Sequence, residues 1–151
     1  MSIVFLQKIV IINYMIIQNE NELIDYGRKL ASKLQLPAVI ELVGDVGAGK
    51  TTFTRGLATG LGVKEPITSP SFTIAKRYHF PVDKDKIGTL VHYDFYRLPD
   101  PGIMYEELAE TISDPLSVVV IEWGESVSDL LPEDHLILHI KINDNNTRTI
   151  S

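Results

Sequence analysis

The sequence contains no cysteine among its 151 residues. This absence excludes disulfide bonds, a thiolate zinc site, an iron–sulfur cluster and a cysteine nucleophile. The chain also lacks a basic excess, since 14 lysines and arginines face 20 aspartates and glutamates, for a net charge of −6. A protein that binds nucleic acid unaided normally carries a basic patch that meets the phosphates. Any role on nucleic acid is therefore expected to need a partner.

The chain has no apolar run long enough to span a membrane. Its most apolar stretch, residues 3–17, is interrupted by polar residues and is shorter than the roughly 20 residues that a spanning helix needs. We expect this stretch to form a strand. Met15 offers a second plausible start, so residues 1–14 are interpreted as an uncertain N-terminal extension. Residues 15–151 are then a single domain, which is what the length predicts.

Hydrophobic periodicity predicts strands that alternate with helices. The helices are expected at about 20–34, 49–61 and 105–112, the first of them starting at a capping box of Asn19 and Glu22. The strands are expected at 38–43, 71–80, 89–97, 116–121 and 136–142. This alternation predicts an α/β domain with a mainly parallel central sheet, which the middle hairpin extends with antiparallel strands.

A glycine-rich segment between a predicted strand and a predicted helix is the strongest functional signal. Residues 44–51 read GDVGAGKT and match the phosphate-loop pattern G-x-x-x-x-G-K-[ST]. Glycines let backbone N–H groups surround a phosphate, and the helix that follows adds the positive end of its dipole. The pattern predicts a three-layer fold of the P-loop NTPase type and a nucleotide site.

Each residue of the loop has an expected role. Lys50 is expected on the β- and γ-phosphates, the Thr51 hydroxyl on Mg²⁺, and Thr52 on the α-phosphate. The remaining nucleotide contacts are expected from the loop itself, at Asp45, Val46, Gly47, Ala48 and Gly49.

Two carboxylates follow apolar runs and compete for the magnesium ion. Glu122 follows the more apolar run, Val118–Ile121, and is favoured as the metal ligand. Asp94 would then orient or activate the attacking water, which makes Asp94 and Lys50 the candidate catalytic residues. A salt bridge to Arg97 is the structural alternative for this aspartate.

A polar loop after the phosphate-loop helix carries three hydroxyl residues, Ser69, Ser71 and Thr73. Loops of this kind become ordered around a γ-phosphate in many nucleotide switches. A capped turn that enters a strand explains the same residues equally well.

Two further residues stand next to the candidate carboxylates. His92 lies two residues before Asp94, so both face the same side of a strand and His92 would support the site. Trp123, the only tryptophan, follows Glu122 directly. It is expected near the nucleotide, at a partner surface or in the core.

Taken together, the motifs resemble the TsaE family. In the family's order they are GDVGAGKTT at 44–52, TSPSFT at 68–73, HYDFYRL at 92–98 and IEW at 121–123. The third motif makes the resemblance specific when combined with the fourth, and it contributes Tyr96 and Arg97 as further candidate switch or supporting residues. Ser71 stands where the family usually has threonine, which keeps a hydroxyl group.

The resemblance implies a cytoplasmic ATPase required for N6-threonylcarbamoyladenosine in tRNA. ATP and Mg²⁺ would be its cofactors and the TsaB–TsaD complex its partner, with tRNA reached only through that complex and no membrane involved. Slow ATP hydrolysis would support repeated turnover of the complex. By the same resemblance, Lys50 contacts phosphate, Thr51 and Glu122 bind Mg²⁺, and Asp94 is needed for hydrolysis.

Two other functions remain as alternatives. A small-molecule or nucleoside kinase uses the same phosphate loop but usually adds an arginine-rich lid, and the arginines of this chain do not cluster. A nucleotide-dependent binding switch with negligible hydrolysis is the third hypothesis, and it predicts that Asp94→Ala is tolerated.

Overall fold

The computed structural model describes residues 12–70, 73–96 and 98–151. The helices are α1 (Glu20–Ala31), α2 (Lys50–Leu61) and α3 (Ile103–Ser113), with a 3-10 helix at Gly124–Leu130. The strands are β1 (Met15–Ile17), β2 (Ala38–Val43), β3 (Ala75–Pro81), β4 (Ile87–Asp94), β5 (Ser117–Glu122), β6 (Leu136–Ile142) and β7 (Arg148–Ile150). No helix in the described part of the chain is both long and apolar enough to cross a membrane.

Within the described residues the strands form one seven-stranded sheet in the order β1-β7-β6-β2-β5-β4-β3. The four central strands β6, β2, β5 and β4 run parallel to one another. Antiparallel strands extend the sheet on both sides, β7 and β1 on one and β3 on the other. This confirms the predicted α/β sheet with a mainly parallel centre.

Apolar side chains leave the sheet on both faces and form two cores. Leu42 and Val120 belong to the core under α1 and α2, and Val119 and Ile121 belong to the core under α3 and the 3-10 helix. β5 is buried at every position, as expected for a parallel strand that is covered on both faces. Each such buried valine or isoleucine contributes about 1.5–3 kcal/mol. The predicted three-layer arrangement is confirmed.

The start of α1 follows the predicted capping box with one change. The Asn19 side chain accepts a hydrogen bond from the N–H of Glu22 at 2.9 Å. The Glu22 carboxylate accepts its return bond from Gln18, at 2.7 Å, rather than from the cap residue. Further along, Gly27 of α1 and Gly56 of α2 let the two helix backbones touch, since a Cβ at either position would collide with the other helix.

The predicted strand at 71–80 begins later than expected. The N–H of Ile74 donates to the carbonyl of Pro70 at 2.9 Å, and Ile74 has a φ of +65°, so the chain turns before β3 starts at Ala75. The predicted strand at 89–97 ends early at Asp94. Residues 1–11, which include most of the proposed extension, lie outside the described residues.

Candidate functional site

The glycine-rich loop joins the carboxyl end of β2 to the start of α2. Gly47 and Gly49 have φ angles of +84° and +113°, in the left-handed region that side chains with a Cβ rarely adopt. The N–H of Ala48 donates to the carbonyl of Asp45 at 3.0 Å and closes a tight turn. The two glycines are therefore required by the backbone path of the loop.

The first turn of α2 presents hydrogen-bond donors at the end of this loop. Gly49 is the N-cap and Lys50, Thr51 and Thr52 follow it. The first N–H groups of a helix have no acceptor within the helix. Together with the positive end of the helix dipole, these groups favour an anion at this position.

The loop opens onto a cleft of about 380 Å³, which is within the range of roughly 300–1,000 Å³ typical of small-molecule sites. Its walls come from the loop and α2, from the segment before β3, and from the ends of β4 and β5. The lining residues within the described part of the chain are Val46, Gly47, Gly49, Lys50, Thr51, Thr52, Ser69, Asp94, Tyr96, Glu122 and Trp123. Every one of them is a site residue predicted from the sequence.

Lys50 is 6 % exposed and bonds to its own loop. Its Nζ donates to the carbonyl of Gly44, and to that of Asp45 at 3.2 Å. The same atom lies 3.8 Å from Oε1 of Glu122 and 4.9 Å from the centre of the Trp123 ring. Because neutral carbonyls are weaker partners than phosphate, the ammonium group is placed to exchange them for a phosphate oxygen.

Two carboxylates meet at the carboxyl ends of neighbouring strands. Asp94 and Glu122 are register partners across the parallel pair β4 and β5, so they leave the sheet side by side. Glu122 is 4 % exposed, and its Oε2 accepts a hydrogen bond from Nε2 of His92 at 2.6 Å. His92 is fully buried, and its Nδ1 has no hydrogen-bond partner among the described residues. His92 therefore acts on the cleft by holding Glu122.

Asp94 is half-buried at the edge of the cleft, where its Oδ1 accepts the N–H of Tyr96 at 2.9 Å. Burial raises the pKa of the Asp94 carboxyl, and the negative charge of Glu122 adds to that shift. The hydrogen bond from Tyr96 opposes it. The environment thus makes Asp94 a stronger base than an ordinary aspartate, which suits a group that accepts a proton.

Two aromatic rings form a wall of the cleft. The ring centres of Tyr96 and Trp123 lie 4.9 Å apart, with the planes tilted by 39°. Trp123 has a φ of +57° and caps the 3-10 helix, so a turn in the backbone directs the chain away from β5. Of the three predicted environments for this residue, the structure shows two at once, because Trp123 lines the cleft next to Lys50 and packs against the core under α3.

Some predicted residues stand beside the cleft and do not line it. Asp45 is exposed on the loop, Ala48 is buried beneath it, and His92 is covered by Glu122. Thr73 is exposed and donates its hydroxyl to the carbonyl of Ala75 at 3.1 Å, as the capped-turn alternative predicts.

Two other candidates, Ser71 and Arg97, lie outside the described residues. The predicted γ-phosphate contact of Ser71 stays a prediction for that reason. The same holds for the alternative ion pair between Asp94 and Arg97.

Sequence reasoning missed one residue that contacts the loop. Arg148, at the start of β7, donates from Nε to the carbonyl of Ala48 at 2.9 Å. The two residues are 100 positions apart in a chain of 151. No local sequence pattern connects them, so only the sheet order could have revealed the contact.

Comparison with known proteins gives consistent matches. A family model described as "Threonylcarbamoyl adenosine biosynthesis protein TsaE" matches residues 17–150. The chain is 44% identical over 116 residues to the tRNA threonylcarbamoyladenosine biosynthesis protein TsaE of Streptomyces coelicolor, covering 77% of this chain and 76% of the relative. It is 36% identical to the Treponema pallidum protein of the same name, covering 83% and 89%. The crystal structure of Bacillus subtilis YdiB superposes with a TM-score of 0.72 at 31% identity, covering 93% of this chain and 85% of that one.

Proposed function

The chain belongs to the TsaE family, and from that premise we propose that it is a magnesium-dependent ATPase in the formation of N6-threonylcarbamoyladenosine in tRNA. Its proposed partner is the TsaB–TsaD complex in the cytoplasm, and tRNA is reached only through that complex. One observation carries the proposal: a phosphate loop with Lys50 and Thr51 shares a single cleft with Asp94 and Glu122.

Phosphate binding is assigned to the loop and the first turn of α2. The residues at the start of the helix, Gly49 to Thr52, all line the cleft, and Lys50 is one of them. They combine directional hydrogen bonds with positive charge, as polyphosphate recognition requires. Thr51 and Thr52, which line the same cleft, add hydroxyl groups.

Magnesium is assigned to Thr51 and Glu122, whose oxygen atoms open onto the same cleft and are the ligand type that Mg²⁺ prefers. Within the described residues no three His, Cys, Asp or Glu side chains are grouped to hold a metal by themselves. Phosphate oxygens of the nucleotide would therefore complete the coordination. When bound, Mg²⁺ neutralises the charge on those oxygens.

Hydrolysis is assigned to Asp94. Its Oδ1 is occupied by the N–H of Tyr96, which leaves Oδ2 to accept a hydrogen bond from water. The raised pKa of Asp94 strengthens this carboxylate as a proton acceptor. His92 contributes by fixing Glu122 at the metal position.

The arginines support an ATPase over the alternative of a kinase with an arginine-rich lid. Of the arginines in the described residues, three bind acidic side chains and one binds the carbonyl of Ala48. None of these lines the cleft. They are Arg28, Arg55, Arg77 and Arg148.

The proposal is tested by threonylcarbamoyladenosine formation in a purified system. It contains TsaB, TsaD, the adenylate-forming enzyme, tRNA, threonine, bicarbonate and ATP, and it is followed over many turnovers. The additions compared are the wild type, Lys50→Ala, Asp94→Asn, no protein, and Lys64→Ala as an exposed lysine control. We expect sustained product only with the wild type and Lys64→Ala.

Equal product with and without the wild-type protein would contradict the proposed role. Transfer of phosphate from ATP to a small acceptor would then support the kinase. Full activity of Asp94→Asn, with ATP binding intact, would support the switch without hydrolysis.

A further inference from the structure

The hairpin of β6 and β7 contacts the phosphate loop at two places. At the start of the loop, Gly44 packs so closely on the carbonyl of Ile140 in β6 that a Cβ would collide with it. Near its end, the Arg148 side chain from β7 donates from Nε to the carbonyl of Ala48 at 2.9 Å. One strand therefore limits where the loop begins, and the other holds it immediately before α2.

We propose that Arg148 is a positioning residue that orients the peptide between Ala48 and Gly49 for phosphate binding. This inference rests on the proposed nucleotide site. A trans peptide is planar, and its C=O and N–H point in opposite directions. Because the Ala48 carbonyl is turned toward Arg148, the Gly49 N–H is turned the other way. Gly49 lines the cleft and Ala48 does not, so this direction leads to the phosphate position.

The loop needs such a constraint because its glycines do not supply one. Gly47 and Gly49 flank Ala48 with positive φ angles. Because glycine adopts other backbone conformations just as readily, neither residue holds the loop in this one. Fixing the backbone of one residue costs conformational entropy. If the free protein already holds this peptide, less of that cost falls on nucleotide binding.

Arginine is suited to this task by its rigid, planar shape. While Nε donates to Ala48, Nη1 of Arg148 donates to the carbonyl of Asn146 at 2.7 Å. Two donors of one plane are thus attached to two backbone carbonyls, which fixes the guanidinium and the loop together. The Ala48 N–H donates to Asp45 on its other side, so this residue is held through both backbone groups.

The competing explanation is that Arg148 only stabilises the hairpin, and two variants separate the explanations. Arg148→Met keeps an unbranched apolar stem and deletes every donor. Thr149→Ala is the matched control, because both side-chain hydrogen bonds of Thr149 go to Asn143 inside the same hairpin rather than to the loop. The measurements are the dissociation constants of Mg-ATP and Mg-ADP by calorimetry, the thermal midpoint, and amide NMR spectra of the free protein.

We expect Arg148→Met to bind both nucleotides about tenfold more weakly, because the entropy of ordering one loop residue then falls on the binding step. Thr149→Ala should stay within about twofold of the wild type. In the free protein, the Gly49 amide resonance should shift, and exchange of the amides of residues 44–52 should accelerate, in Arg148→Met alone.

Wild-type affinity in Arg148→Met would overturn the inference, as would equal losses in both variants that follow a common fall in the thermal midpoint. The NMR measurements need no nucleotide. A wild type that binds neither nucleotide would therefore remove the proposed function, while an unchanged Gly49 resonance in Arg148→Met would remove the positioning role by itself.

Discussion

The buried pair of His92 and Glu122 allows a quantitative test of how the proposed metal position is built. Nε2 of His92 lies 2.6 Å from Oε2 of Glu122, and the two residues are 0 % and 4 % exposed. Solvent screening is therefore small. Hydrogen bonds to charged groups contribute about 1.5–3 kcal/mol, and we expect a coupling free energy of about 2 kcal/mol.

Single substitutions would give a misleading value for this pair. His92→Phe deletes the bond to Glu122, but it also removes the buried Nδ1, which has no partner among the described residues and costs about 1–3 kcal/mol. The two effects have opposite signs. A double-mutant cycle of His92→Phe, Glu122→Met and the double variant cancels the second effect and leaves the pairwise free energy.

The assay is urea unfolding of the wild type and the three variants, followed by circular dichroism at constant pH and salt. A coupling free energy below about 0.5 kcal/mol would refute the reasoning, since that is the usual error of additivity between independent sites. A second readout concerns function. His92→Phe should require a higher Mg²⁺ concentration for half-maximal hydrolysis, because Glu122 is no longer fixed, and an unchanged Mg²⁺ requirement would separate His92 from the metal position.

Three other variants test the cleft. Lys50→Ala should weaken ATP binding by about tenfold or more in calorimetry, because a charge-assisted phosphate contact is lost, and unchanged affinity would exclude the phosphate loop as the binding site. Glu122→Gln should weaken Mg²⁺ binding, so phosphate release should need a higher Mg²⁺ concentration for its half-maximal rate. If that concentration is unchanged, Asp94 is the better metal candidate. Burial raises the pKa of Asp94. On acidification, hydrolysis should therefore decline at a pH above the usual aspartate pKa of about 3.9. The same shift destabilises the fold progressively as pH rises from the unfolded pKa to the raised folded one. Asp94→Asn should therefore abolish hydrolysis and raise the thermal midpoint at neutral pH, and a lower midpoint would contradict the burial penalty.

Much of the architecture could be predicted because its signals are local. The strand Ala38–Val43 and the helix that ends before Gly62 follow from continuous and periodic apolar residues. The phosphate loop follows from a spacing that few other structures require. The apolar runs before Asp94 and Glu122 marked both as strand-end carboxylates, and the parallel pairing of β4 and β5 places them side by side.

Other features depend on contacts that no short window of sequence contains. β7 has three residues, too few to show a period, and it lies between its hairpin partner β6 and the distant strand β1. The contact of Arg148 with Ala48 needs the complete sheet order.

The way Lys50 is held in the free protein has a consequence for selectivity among anions. Its ammonium group already bonds to the carbonyls of Gly44 and Asp45, so the cleft does not present a bare cation to solvent. Association is then an exchange, in which an incoming ion must replace two existing bonds. Chloride or a single small oxyanion gains little from that exchange. In the proposed nucleotide site a polyphosphate would also meet the amides of the first helical turn, so we expect the loop to favour long, multiply charged ligands over the abundant small anions of the cell.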